Sequence, residues 1–110
     1  MFRQAFECED MRGVWRDENH LVVRHPSGVF FSFAQVGGAV SAHFAAGKES
    51  LRSVRSAIND FCDWAFYVMP WCEMIFACVT IESVTRMIKK CGFSPLALAD
   101  DAEILVRYRL

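Results

Sequence analysis

The stretch Ser83-Val84-Thr85-Arg86-Met87-Ile88-Lys89-Lys90-Cys91-Gly92-Phe93 decides how the rest of the chain is read. Val84, Met87, Ile88 and Cys91 recur at helical spacing and make one apolar stripe. Lys89 and Lys90 suit the negative end of the helix dipole, and Gly92 supplies the left-handed residue that stops it. Ser83 suits the N-cap. Directly upstream, Met74-Ile75-Phe76-Ala77-Cys78-Val79 is an unbroken apolar run of strand length, which predicts a central strand covered on both faces. Downstream, Leu96 to Ala99 and Glu103 to Arg109 flank Asp100-Asp101, the pattern of a hairpin.

Toward the N-terminus, Leu51, Val54, Ile58, Phe61, Cys62, Ala65 and Val68 share one face of a long predicted helix. Ser50 or Glu49 opens it and Pro70 marks its end. Before Gly47 the periodicity changes. Leu21–Val23, Val29–Gln35 and Val40–Ala45 are β-prone segments joined by His25-Pro26-Ser27-Gly28 and Gly37-Gly38, which predicts an antiparallel meander. A short helix over 7–15, weakened by Gly13, stands in front of it. The predicted order is β-β-β-α-β-α-β-β: one α+β domain over residues 1–110, with a mixed, mainly antiparallel sheet and helices on both faces.

Composition narrows the function. With 54% hydrophobic and 23% charged residues the chain belongs with folded globular domains. A net charge of -1 creates no basic field, which argues against nucleic acid as a partner. No apolar run reaches the length of a membrane span and Met1-Phe2-Arg3-Gln4 does not open a signal peptide, so a cytoplasmic protein is expected. Cys8, Cys62, Cys72, Cys78 and Cys91 are odd in number, lack C-x-x-C spacing and have apolar neighbours, the pattern of reduced core thiols. His20, His25 and His43 complete no zinc set, so no metal is expected. Ten Phe and three Trp are a heavy aromatic load, which leaves room for a partner or a homo-oligomeric interface.

The element order and the helix ending Lys90-Cys91-Gly92-Phe93 resemble the GNAT superfamily of acyl-CoA-dependent N-acyltransferases, whose signature helix ends in Lys-x-Gly-Phe. Ala42-His43-Phe44-Ala45-Ala46-Gly47-Lys48 resembles that family's fourth strand and cofactor loop. With Asp60-Phe61-Cys62-Asp63-Trp64-Ala65-Phe66 and Pro70-Trp71-Cys72, this region is similar to short GNAT-like proteins encoded by tailed bacteriophages. The resemblance covers about residues 20–110. It implies acetyl-CoA as donor, with the pyrophosphate on Gly47, Lys48, Glu49, Ser50 and Leu51 at a helix start. It also implies a pantetheine arm lying where the fourth and fifth strands splay, between Ala42–Ala45 and Phe76–Val79, so that Ala45, Phe76 and Cys78 join the binding set. The family's loop carries more glycine than the single Gly47 here, and Ile88 occupies the position of its general-acid tyrosine.

His43 suits a general base for an amine, and suits better a strand histidine facing solvent or a backbone carbonyl. Ser83 suits a proton relay or the N-cap already named, and the thiols of Cys78 and Cys91 suit packing better than attack, because no base adjoins them. Trp64, Phe66, Tyr67 and Trp71 either close the core or form a protein interface. Two functions remain open. One is an N-acetyltransferase acting on an unidentified amine. The other is a non-catalytic bacteriophage protein on the same scaffold, serving head assembly or the virion, or countering a host defence, through protein contacts.

Overall fold

In the computed structural model, which describes residues 2–5, 12–15 and 17–110, the chain builds one seven-stranded sheet in the order β1-β2-β3-β4-β5-β7-β6. The predicted meander is present as β2 (Leu21–Arg24), β3 (Phe30–Val36) and β4 (Ala39–Ala45), paired antiparallel in sequence order. Val36 pairs with Ala39 around Gly37-Gly38, which makes the second turn a two-residue hairpin. A strand missed by periodicity, β1 (Arg3–Gln4), extends the sheet beyond β2; two exposed polar residues carry no apolar alternation to betray it. The predicted helix over 7–15 lies mostly outside the described residues; of those described, Arg12 and Gly13 form a turn, with φ of 56° and 70°, and 14–15 are not helical.

The long helix begins differently from expectation. Lys48–Ser53 is a 3-10 helix, and only Val54–Val68 is α-helical (α1). Ser50 does not cap it. Its side chain is fully buried and its Oγ donates to the Ser27 carbonyl at 2.6 Å, tying the helix start to the β2–β3 turn. That tie draws the backbone into the tighter winding, with the Ser50 N–H bonded to the Gly47 carbonyl three residues back. His25, buried in the same turn, adds a bond from Nε2 to Asp60 of α1 at 2.8 Å. At the far end Arg109 closes α1. Its guanidinium donates to the carbonyls of Phe66 at 2.8 Å, Met69 at 2.9 Å and Cys72 at 2.7 Å, and lies 5.0 Å over the Phe66 ring.

After α1 come β5 (Met74–Val79), α2 (Glu82–Lys89), β6 (Ser94–Ala99) and β7 (Ala102–Tyr108). Gly92, at φ 87°, stops the second helix as its sequence requires, with the Phe93 N–H returning to the Ile88 carbonyl at 3.3 Å. Ile81, not Ser83, is the N-cap of α2, and no side chain caps it.

The two helices cover the same face of the sheet rather than one face each. Phe31 and Phe33 of β3, Val40 of β4, Ile75 of β5 and Leu105 of β7 share a core with Val54, Ile58, Phe61 and Cys62 of α1 and Ile88 of α2. Alternate strand residues turn to the other face, where Val22 and Phe30 meet Ala5 and Val14, and Ser32 Oγ donates to the Trp15 carbonyl. So the apolar run of β5 is covered mainly on its helix side: Ile75 is buried, whereas Cys78 is exposed. Among the described residues, no helix is long and apolar enough to cross a membrane.

Candidate functional site

β4 and β5 run parallel, and their pairing lasts for three residues only: Ala39 with Met74, Val40 with Ile75, and Ser41 with Phe76. Beyond Ser41 and Phe76 the strands part. β4 continues along β3 to Ala45, and β5 continues along β7 to Val79. Strand geometry then turns alternate N–H and C=O groups of 42–45 away from β3 and into the gap, where no strand among the described residues meets them. A cleft of about 470 Å³ opens there.

Its walls come from both faces of the sheet. Ala42 and Phe44 of β4, Ala77 of β5, Phe61 of α1 and Ile88 of α2 make an apolar inner wall, while Trp15, His43 and Cys78 stand on the opposite face. Ile88, 3% exposed, reaches the cleft from the position counted back from Gly92-Phe93. It offers no proton there.

Of the sequence-predicted residues, the structure brings His43 and Cys78 to the cleft. Phe76 shares their face of β5 but is not part of the wall, and Ala45 packs beside Phe30 and Val22 at the end of β4. Ser83 lies exposed on the first turn of α2 and is not part of the cleft wall. Gly47, Lys48, Glu49, Ser50 and Leu51 also stand outside it. Gly47 has φ of -80°, a backbone that any residue adopts. The Glu49 carboxylate folds back over it, so that a β-carbon at 47 would lie 2.5 Å from Oε1, and pairs with Arg12 at 2.6 Å. Leu51 is exposed and Ser50 is committed to the β2–β3 turn.

The thiols separate by burial. Cys62, Cys72 and Cys91 are buried, and burial pushes the Cys62 thiol up to about 12. Such a thiol is inert as a nucleophile. Cys78, read from sequence as a packing residue, is exposed on the cleft wall. The aromatic quartet also divides. Trp64 packs against Phe2, Phe33 and Phe61, and Phe66 lies under Arg109, whereas Tyr67 and Trp71 are exposed.

Around His43 the structure adds residues that no motif singled out. The Trp15 ring lies 4.6 Å from His43, and His20 lies 5.5 Å away, centroid to centroid. His20 Nδ1 is 2.6 Å from the Asp17 carboxylate. Burial, and then the charge of nearby His20, lower the His43 pKa below its usual 6.5, against a smaller opposing pull from Asp17. His43 therefore favours its neutral, proton-accepting form near neutral pH. The same shift has a consequence for stability. The unfolded chain protonates position 43 at higher pH than the folded chain does, so stability is full above about 6.5 and falls as the pH drops through the folded value. Denaturant midpoints measured from about pH 7.5 down to about pH 5 are expected to fall less steeply in His43→Asn than in the parent. Parallel curves would show that His43 carries no such linkage.

No family model matches the sequence, and comparison with curated proteins finds no similar one. Solved structures do match. An acetyltransferase from Bacillus subtilis in complex with CoA superposes with a TM-score of 0.76 at 10% identity, over 99% of this chain and 98% of that one. The chain has the GNAT fold. A point mutant of the spermidine N-acetyltransferase from Vibrio cholerae gives a TM-score of 0.68 at 15% identity, over 84% of this chain and 67% of that one. The ribosomal-protein-S5-alanine acetyltransferase from Vibrio fischeri gives 0.67 at 16% identity, over 81% of this chain and 60% of that one. The chain thus spans about two thirds of the spermidine enzyme's length and nearly all of the Bacillus one's.

Proposed function

We infer that this chain is an acyl-CoA-dependent N-acyltransferase that passes an acetyl group from acetyl-CoA to an amine. The observation that carries the reading is the end of β4–β5 pairing after Ser41 and Phe76, with an apolar cleft at that point. A pantetheine arm is a slim chain with amide groups along it, and it suits a slot that offers unpaired strand N–H and C=O groups between apolar walls. Backbone N–H groups of β4 would polarise the thioester carbonyl, and His43 would accept the proton shed by the amine nitrogen. The C–S bond breaks as the N–C bond forms, and the sulfur leaves as thiolate without a donor at Ile88, which predicts modest turnover. The CoA bound to the similar Bacillus structure supports the choice of donor.

The loop before α1 fits the pyrophosphate less well than the cleft fits the arm, because Glu49 adds a negative charge there. Glu49→Gln is therefore expected to tighten acetyl-CoA binding about fivefold, equivalent to ~1 kcal/mol, and the gain should shrink at about 0.5 M salt. Titration calorimetry at two ionic strengths checks it. An affinity unmoved by the substitution would place the phosphates elsewhere.

The missing proton donor at Ile88 and the exposed aromatic residues favour a second reading, a non-catalytic protein that uses the scaffold to hold a protein partner. The exposed Tyr67 and Trp71 are its best contact residues, and a bacteriophage assembly or host-defence role is its biological form. Calorimetric titration with acetyl-CoA, with desulfo-CoA beside it, separates the two. One saturable site with Kd on the order of 10–100 µM supports the enzyme. No heat and no thermal stabilisation at millimolar ligand sinks it and leaves the protein-binding reading.

A further inference from the structure

His20 presents an unusual combination. Its side chain is only 7% exposed, and Nε2 is buried without a hydrogen-bond partner among the described residues. A buried polar nitrogen left unpaired is costly, by roughly 1–3 kcal/mol, and asks for a reason. The other nitrogen is fully committed. Asp17 receives Nδ1 at 2.6 Å and also accepts from the Asn19 N–H at 2.9 Å, and both bonds keep its carboxyl below the usual range and ionised. An ionised carboxylate only accepts, so His20 Nδ1 must carry the hydrogen. Neutral His20 therefore holds a bare lone pair on the buried Nε2.

Two rings surround that imidazole. Trp15 meets it edge to face, at 5.0 Å and 86°, and His43 lies at 5.5 Å and 50°. The Trp15 carbonyl is held in turn by Ser32 Oγ, and Ser32 pairs with His43 across β3 and β4. The two imidazoles thus stand on one face of the sheet with ring centroids 5.5 Å apart, and no hydrogen bond joins them in the structure as it stands. Among the described residues, the titratable groups facing His20 are Asp17 from its own loop and His43 from β4.

We propose that Asp17 and His20 form a relay behind His43, in which His20 Nε2 accepts a hydrogen bond from one nitrogen of His43 and leaves the other nitrogen's lone pair facing the cleft. This rests on the acyl-transfer reading and deepens it. His43 is the group that touches the substrate amine, and Asp17 and His20 are positioning residues that set its tautomer. When the amine nitrogen forms the new N–C bond and the C–S electron pair leaves on sulfur, the nitrogen's proton moves to the cleft-facing nitrogen of His43. The second N–H of the resulting imidazolium then bonds to His20, and the charge is balanced by the Asp17 carboxylate.

The test uses the full chain labelled with ¹⁵N and ¹³C in histidine, because ¹⁵N shifts report which ring nitrogen holds the proton. His20 is expected to carry its proton on Nδ1, and His43 to hold a single tautomer. Asp17→Asn should mix the tautomers of both rings, and His20→Gln should mix that of His43, although no hydrogen bond joins Asp17 to His43. In the same variants kcat/KM for acetyl transfer should fall about a hundredfold, with KM for acetyl-CoA unchanged and the acidic limb of the pH profile displaced. A His43 spectrum indifferent to both substitutions overturns the relay. A parent protein that binds acetyl-CoA yet acetylates no amine overturns the acyl-transfer reading instead, and the tautomer result still decides the relay on its own.

Discussion

Phe61→Ala is expected to destabilise the fold by about 4 kcal/mol, and thereby to lower the melting temperature by about 20 °C. Phe61 is 2% exposed at the centre of the main core. It stacks on Phe31 at 4.5 Å and 10°, and meets Phe2, Phe33 and Trp64 at 6.0, 5.7 and 5.9 Å. Truncation removes the ring's burial and leaves a hole walled by four other aromatics, which cannot collapse together without leaving their own contacts. Phe61→Leu keeps most of the volume and should lose about half as much. Thermal and urea unfolding of both variants measures the difference. Equal, small losses would show that the aromatic cluster is loosely packed.

Ala42→Trp is expected to weaken acetyl-CoA binding at least about a hundredfold while leaving the fold near its original stability. Ala42 follows the last residue of β4 that pairs with β5, and its side chain is part of the inner wall of the cleft. An indole there enters open space rather than packed core, so the fold has little to lose and the slot has much. Calorimetry beside a melting curve reads the two effects separately. Affinity retained at full strength would mean that the acyl donor does not use the gap between the strands.

Much of this was legible in the chain because its punctuation is strong. The Gly37-Gly38 hairpin, the apolar run of β5 and the Gly92 stop each carry a local physical signal, and the order of elements follows from them. The splay between β4 and β5 came from the resemblance to a family and not from periodicity. What stayed hidden depends on the third dimension. A helical stripe tells which side of α1 and α2 is buried but not which face of the sheet receives it, so the shared face was out of reach. The 3-10 winding at Lys48–Ser53 comes from a bond between Ser50 and Ser27, and separation in sequence conceals it. Asp17 and His20 lie in a polar loop with no recurring spacing, and their bearing on His43 needs the β3–β4 register and the seat of Trp15.

The three-pair seam between β4 and β5 also has a mechanical meaning. Among the described residues it is the strand pairing that joins a left panel, β1 to β4, to a right panel, β5 to β7. The Glu73 N–H bond to the Gly38 carbonyl at 2.8 Å extends it by one step, and α1 serves as the strap that spans both. A sheet so joined behaves as two leaves on a short hinge, and the amides bordering the gap should exchange with solvent faster than those inside either leaf. A molecule seated between the leaves would latch them together. Its binding energy would then be felt along the whole of both panels, so that slowed exchange far from the cleft, and not only beside it, becomes the mark of occupancy.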